Sequence, residues 1–489
     1  MFKKGVKNYF FSILALLLTT LTSFFTTPLI IKYAGASYFG LYQLILQYLG
    51  YSIFCDLGIS TASLSILNKA FHLNSKNTVK AAIRLVLNKY LKVMPIIFIF
   101  QVLLTVFLTS QDETKNNTLS YIIMALPLSF LPLKVYSDFL RSSEQVHIVS
   151  KSNTIGLLST SFLAIYLSIK GYGILGLAIS YFLGMTLMAI IPMLYTFKYL
   201  SNMPNLENDD YKNGLEDITI SQQVHASIQT LSGQLSYSSD VIILSFFASK
   251  EMLTMFFINQ RLARLMDSLL VNVGNSFWSS FANHPDKDKR VFFLRNINSV
   301  FIFFSGTISL PLLLLNHKFI NLWVGEHLFI SDSFSYIVFM NYALFGLLSL
   351  WGWIFIAEGK QAFISRTILM AGFINVATSI LGTYYFHEIG PVLGTFISFY
   401  FFYLWSIKNK LAHIGYNVEK AIKDFLLIFS INSSVFWLIL ALIDTSSFST
   451  YKSIVLIASI FSISYLINSL LLFKTVIPSK IFLIIKELR

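Results

Sequence analysis

Apolar runs of about twenty residues recur along almost the whole chain, separated by short stretches that carry most of its charge. This spacing constrains the fold more than any other feature. A hydrocarbon core about 30 Å thick is crossed by about twenty apolar residues in an α-helix. Inside it only helices and closed barrels satisfy their own backbone, and barrel spans would alternate polar and apolar residues over about ten positions. The sequence therefore predicts an all-α polytopic membrane protein. Composition agrees, with 55% hydrophobic and 12% charged among 489 residues, against about 25% charged in a soluble domain. One cysteine, Cys55, lies inside an apolar run. An intramolecular disulfide and a cysteine metal cluster are thereby excluded.

About fourteen transmembrane helices are expected. The first six lie near residues 9–31, 39–67, 93–109, 119–140, 153–169 and 174–197. Two more occupy 221–275, a ninth ends near 315, and five follow near 334–357, 364–386, 392–407, 425–443 and 453–473. The first run follows Lys3, Lys4 and Lys7. It exceeds the roughly 7–15 apolar residues of a signal peptide and lacks a small-residue cleavage site, so it reads as a span. Pro127 and Pro132 should break the fourth span, and 316–330 should form a short amphipathic connection.

Orientation follows from the basic residues. If both termini are cytoplasmic, only Lys32, Lys115, Lys170, Lys250, Lys318 and Lys452 fall outside, and Lys134, Arg261 and Arg264 fall within spans. All other Lys and Arg are cytoplasmic. The net charge of +13 is thus a topology signal helped by anionic lipid, and not a nucleic-acid footprint.

The expected organisation is an N-terminal six-helix lobe (1–198), a cytoplasmic linker (199–220), a C-terminal six-helix lobe (221–410), and two additional helices with a short cytoplasmic tail (411–489). The linker carries Glu207, Asp209, Asp210, Glu216 and Asp217. Residues 29–41 and 241–253 share an apolar triplet, an Ala-Ser pair and a leucine in register; Leu175-Gly176 and Leu393-Gly394 open similar junctions. Both echoes fall where a duplication of six helices puts them. Parallel repeats around a central cavity are a transporter architecture.

Residues 221–275 hold the polar signal. At about 100° per residue, Ser221, Gln222, His225, Gln229, Ser232, Ser236, Ser239 and Asp240 fall within about 60° of one direction. Thr254, Arg261, Arg264, Ser268, Asn272 and Asn275 do the same in the next segment. An ionised side chain at bilayer depth costs at least about 2.5–3.5 kcal/mol on insertion scales, so such lanes line a bundle interior or a wet cavity.

The stretch Thr-Thr-Pro-Leu-Ile-Ile-Lys-Tyr-Ala-Gly-Ala-Ser-Tyr-Phe-Gly-Leu-Tyr over 26–42 resembles the start of the polysaccharide repeat-unit (O-antigen) flippases of the MATE-like superfamily. Asp56-Leu-Gly, Ser239-Asp240-Val-Ile-Ile-Leu, Asn321-Leu-Trp-Val-Gly325 and Ala357-Glu-Gly-Lys360 extend the resemblance in order over most of the first twelve spans. It implies two pseudo-symmetric six-helix lobes around a central cavity, two C-terminal helices and alternating access. The implied cargo is an undecaprenyl-diphosphate-linked oligosaccharide, moved from the cytoplasmic to the outer leaflet of a bacterial inner membrane. A polysaccharide polymerase and chain-length proteins are the candidate partners besides the bilayer. No cofactor, metal or nucleic acid is expected.

A diphosphate–sugar head needs fixed cations and many amide or hydroxyl partners. Arg261 and Arg264 offer planar forks for phosphate oxygens, and Gln222, Gln229, Asn272 and Asn275 suit sugar hydroxyls. The static alternatives pair Arg264 with Asp267, one turn on, and Arg261 with Asp240 or the interface. Lys134 suits snorkelling to a span end. Asp240, His225 and Asp56 are candidates for ion or proton coupling, against capping, an ion pair or a structural role. Gly171-Tyr-Gly173-Ile-Leu-Gly176 has dinucleotide-loop spacing but joins two spans with no acid about twenty residues on, so it reads as a tight turn. A cation-coupled drug exporter of the MATE branch is the main alternative; it would favour an acidic cavity. A membrane polymerase or glycosyltransferase would need a large outer loop or an outer carboxylate pair, and the sequence shows neither.

Overall fold

The computed structural model describes residues 2–73, 75–111, 116–204, 228, 231–235, 239–270 and 287–442, with 452, 455–456, 459–460, 462–464 and 466–468. Among the described residues there is no strand, and eight helices are long and apolar enough to cross a bilayer. The expected seventh, eighth and fourteenth spans lie partly outside these residues. The chain forms two compact units, Met1–Gln234 and Leu235–Arg489.

The first unit contains α1 (Phe2–Ala34), α2 (Ala36–Gly50), α3 (Ile59–His72), α4 (Lys76–Ser110), α5 (Thr118–Ala125), α6 (Lys134–Ser142), α7 (Val146–Ile169) and α8 (Gly173–Ser201). The stretch expected as one span over 39–67 is broken. After α2 the chain tightens into a 3₁₀ turn, Tyr51–Asp56, and passes through left-handed Leu57 (φ 47°) and Gly58 (φ 73°) before α3 begins. The break is stabilised locally, because the Ser60 amide in the first turn of α3 donates to Asp56 Oδ1 at 3.1 Å.

The fourth span breaks where its prolines said it would, with a 3₁₀ stretch, Leu126–Leu133, between α5 and α6. α4 starts well before the expected 93. Its early turns expose Lys80 and Arg84 while Val79, Ala82, Ile83 and Val86 are buried, so the basic residues ride one side of an amphipathic helix. Further along, Phe98, Ile99, Leu103 and Val106 are exposed, as a lipid-facing helix requires. α7 and α8 form a hairpin whose turn uses positive φ at Gly171 and Gly173. The dinucleotide-like spacing is therefore a turn between helices.

The second unit contains α9 (Ser239–Ser245), α10 (Lys250–Asn259), a helical run over 261–270 (α11), α12 (Lys287–Val324), α13 (Asp332–Ala357), α14 (Gln361–Phe386), α15 (Gly390–Ile397), α16 (Leu404–His413) and α17 (Glu419–Leu442). A π-helical turn, Ser398–Tyr403, joins α15 to α16. α12 and α13 are each largely buried along their most apolar stretch. α12 runs on to Val324, so its last turns replace part of the expected separate connection. Fully buried Asn316 holds this extension in place by donating to the Asn259 carbonyl at 3.1 Å and to Ser335 Oγ at 2.9 Å. Buried amides also dock the C-terminal helices on α12: Asn432 donates to the Gly306 carbonyl at 2.7 Å, and Asn468 to Thr307 Oγ1 at 3.2 Å.

Candidate functional site

A narrow cleft in the second unit is lined by Asp240, Gln260, Arg264, Asn341, Tyr342 and Thr395 among apolar walls that include Phe256 and Phe345. Five helices contribute these polar groups or their immediate neighbours. Gln260 closes α10, and Arg264 follows one turn later. The Arg264 Nε and Nη2 donate to Gln260 Oε1 at 3.3 and 3.1 Å, and the Tyr342 hydroxyl donates to the same oxygen at 3.2 Å. The guanidinium carbon lies 5.1 Å from the centroid of the Phe257 ring. This amide and ring fix the plane of the guanidinium while using only part of its donor set.

The static pairing of Arg264 with Asp267 is not what forms. The guanidinium turns back to Gln260, although Asp267 stays within its electrostatic reach. A buried oxygen of Asp267, Oδ1, has no hydrogen-bond partner. Arg261 is half-buried on the same helix and is not among the cleft-lining residues.

Asp240 neither caps a helix nor makes an ion pair within 4 Å among the described residues. Both its carboxylate oxygens accept from Thr395 Oγ1, at 3.1 and 2.9 Å, and that hydroxyl also lies 2.9 Å from Asn375 Oδ1. Ser379 Oγ donates to the same Asn375 oxygen at 3.0 Å. One threonine proton thus faces three acceptors, an arrangement with a surplus of negative oxygen.

Glycines make this network possible. A Cβ on Gly394 would lie 2.3 Å from the Ser379 backbone nitrogen, and one on Gly390 would lie 2.1 Å from the Gly382 carbonyl carbon. α14 and α15 therefore meet backbone to backbone, which brings Asn375 and Ser379 beside Thr395. In the α7–α8 hairpin of the first unit, a Cβ on Gly176 would come 2.8 Å from Leu167 Cβ. Gly394→Val is expected to push α14 and α15 apart and to destabilise the protein by about 1–3 kcal/mol. Unfolding of the purified variant in detergent checks this, and an unchanged midpoint would refute the close-packing argument.

In the first unit, Asp56 is 4% exposed, and the Lys134 ammonium lies 3.9 Å from its Oδ2. Lys134 is therefore not a purely interfacial snorkelling lysine: it turns in toward a carboxylate at the helix break while its side chain stays 35% exposed. Gln222, His225, Gln229, Asn272 and Asn275 lie outside the described residues.

Four polar residues lining the second-unit cleft were missed from sequence, Gln260, Asn341, Tyr342 and Thr395, as was Asn375 beside Thr395. Gln260 had a signal, since four residues before Arg264 it falls on the same helical face. Asn375 had another, as an amide in an otherwise apolar run. Nothing in the local pattern separates Tyr342 or Thr395 from ordinary packing residues.

Solved structures share this architecture. The lipid II flippase MurJ, in an inward closed conformation, superposes with a TM-score of 0.71 at 17% identity, over 94% of this chain and 98% of that one. A Vibrio cholerae MATE transporter, VcmN, gives 0.55 at 15% identity over 84% and 98%. An inward-facing multidrug-resistance MATE transporter of the MOP superfamily gives 0.52 at 12% over 82% and 98%. The fold is that of MurJ and the MATE transporters. No protein-family model matches the sequence, and no curated protein sequence matches it. Together with the eight apolar helices, this fold makes the chain a multi-pass membrane protein.

Proposed function

We propose that the protein is a flippase for an undecaprenyl-diphosphate-linked oligosaccharide, an O-antigen or similar polysaccharide repeat unit. The cargo moves from the cytoplasmic to the outer leaflet of a bacterial inner membrane, with both termini cytoplasmic and the two units alternating access. The observation that carries this reading is Arg264, a fixed guanidinium in a cleft whose other polar groups are amides, hydroxyls and the single carboxylate of Asp240. Such a site answers a diphosphate with a charge-assisted fork and the sugars with neutral donors and acceptors. The likeness to MurJ along nearly the whole chain supports a lipid-linked glycan over a smaller solute.

Arg261 would add a second cation near the head group, and Gln222, Gln229, Asn272 and Asn275 would meet sugar hydroxyls. Asp240, with its surplus of acceptors, is the foremost candidate in the second unit for a coupling proton or cation; His225, outside the described residues, is a further candidate for that role. Polymerase and chain-length proteins would act on the delivered cargo.

A second reading is a cation-coupled multidrug exporter, and one observation favours it: Asp240 lines the same cleft as Arg264. The two readings separate in vesicles containing the purified protein. A fluorescent undecaprenyl-diphosphate oligosaccharide placed in one leaflet should become accessible to, or protected from, a membrane-impermeant quencher as it crosses. If several such glycans fail to move while a cationic dye is expelled along an ion gradient, the flippase reading is wrong.

A further inference from the structure

The two helix breaks of the first unit face one another across a buried polar cluster. Asp56 closes the 3₁₀ turn before α3, while Lys134 opens α6 after the proline-induced 3₁₀ stretch. Asp138, one turn further along α6, is 1% exposed. Ser60 bridges the two carboxylates: its amide donates to Asp56, and its hydroxyl donates to Asp138 Oδ2 at 3.3 Å. Ser63 donates to that same Asp138 oxygen at 2.8 Å.

Two oxygens in this cluster have no partner. Asp138 Oδ1 is buried without a hydrogen bond, and so is the hydroxyl of Tyr90 on α4. Tyr90 has no exposed surface. Its hydroxyl is directed at Asp56 and Ser60 and lies within electrostatic reach of Asp138, yet meets hydrogen-bond geometry with none of them. Unpaired groups of this kind are rare in packed interiors and call for an occupant.

Charge indicates which occupant. Two carboxylates face one ammonium, Lys134, which leaves the cluster one negative charge in excess. Arg141, the other cation near Asp138, is at an exposed position at the end of α6, where water screens it. Among the described side chains named here, those other than Lys134 present oxygen, the donor type that hard cations take. Broken helices also free backbone carbonyls, which is how membrane transporters commonly complete a cation's coordination shell.

We propose that the first unit holds a monovalent-cation site of the sodium class, formed by Asp138 Oδ1, the Tyr90 hydroxyl and the Asp56 carboxylate, with Lys134 as the displaceable internal cation. The cation neutralises the excess charge and satisfies both unpartnered oxygens at once. A proton, by contrast, could bridge only two of the three. Lys134, partly exposed, is free to swing toward water when the ion enters. The site rests on its own geometry and not on the identity of the cargo.

The test uses the full-length protein purified in detergent, with sodium chloride exchanged for choline chloride at constant ionic strength. Sodium should raise the unfolding midpoint saturably, because a ligand that binds only the folded state stabilises it by mass action. Equilibrium binding of radioactive sodium should show an ion that is lost in Asp138→Asn. Tyr90→Phe, nearly isosteric, should weaken sodium binding about tenfold while the protein stays folded in choline. It therefore reports on the site even if Asp138→Asn fails to fold. The proposal is overturned if sodium and choline give the same midpoint, if a shift follows pH alone, or if sodium binding survives Tyr90→Phe unchanged. Sodium binding that disappears only in Asp240→Asn would place the ion in the other unit and equally refute the site.

Discussion

Arg264→Ala is expected to slow transfer of the undecaprenyl-diphosphate oligosaccharide by about 10- to 100-fold in quencher-accessibility assays. A hydrogen bond to a charged group contributes about 1.5–3 kcal/mol, and each 1.4 kcal/mol is a factor of about ten. The loss should be specific to transfer. The alanine variant removes the donors that Arg264 directs at Gln260, but Tyr342 still donates to that amide oxygen; Asp267 loses its nearby positive charge, so the assay uses protein shown to be folded and monodisperse. Arg264→Lys should give an intermediate rate, because it keeps the charge but loses the planar fork and the fit over Phe257. Adding Arg261→Ala should deepen the defect only if the second guanidinium reaches the same head group. A folded Arg264→Ala protein that transfers at the wild-type rate would remove the cleft from the mechanism while leaving the function open to another site.

How much of this was legible beforehand depended on whether the signal was local. Spans are written in runs of apolar residues, since the bilayer forces each to satisfy its own backbone, and the 3₁₀ stretch at Pro127 and Pro132 follows from missing amide donors. The break at Asp56-Leu57-Gly58 was also written locally, as a side chain able to accept from the next helix's first turn followed by a glycine free to take positive φ. It was read through because the flanking residues are apolar enough to continue a span.

The sites were harder. Arg264 stood out as a charge within a span, but its orientation depends on Gln260, Phe257 and Tyr342, and Tyr342 is distant in sequence. Asp138 was overlooked although it sits one helical turn from Lys134, because a lysine and an aspartate four apart ordinarily read as a solvated pair. Only the packing of α3 and α4 against α6 turns that pair into part of a buried cluster. Thr395 and Asn375 come together because Gly390 and Gly394 let two helices touch, and that requires knowing which helices are neighbours.

The largest stability effect is expected at Glu358, a residue of the Ala357-Glu-Gly-Lys360 stretch. Its Oε1 lies 3.1 Å from Arg290 Nη1, with the two side chains 19% and 15% exposed. The hydroxyl of fully buried Tyr416 donates to the same oxygen at 2.6 Å. Burial, followed by the bond to Glu358 and its charge, pushes the Tyr416 phenol well above its ordinary range, so it remains a donor at any physiological pH. The three residues come from the first turns of α12, the end of α13 and the connection before α17, so one carboxylate ties together three helix ends. Glu358→Ala would leave the mostly buried Arg290 guanidinium, whose Nε already lacks a partner, without a counter-charge. Breaking a buried pair from one side costs about 3–5 kcal/mol. Tyr416→Phe should cost nearer 1 kcal/mol, the net worth of one hydrogen bond. The double variant Glu358→Leu/Arg290→Met should recover most of the loss, since it removes the stranded charge along with its partner. Retention of the monodisperse protein after stepwise heating in detergent would rank the four proteins. If Glu358→Ala is no less stable than Tyr416→Phe, the carboxylate is acting as a surface residue and the helix ends are held by apolar packing alone.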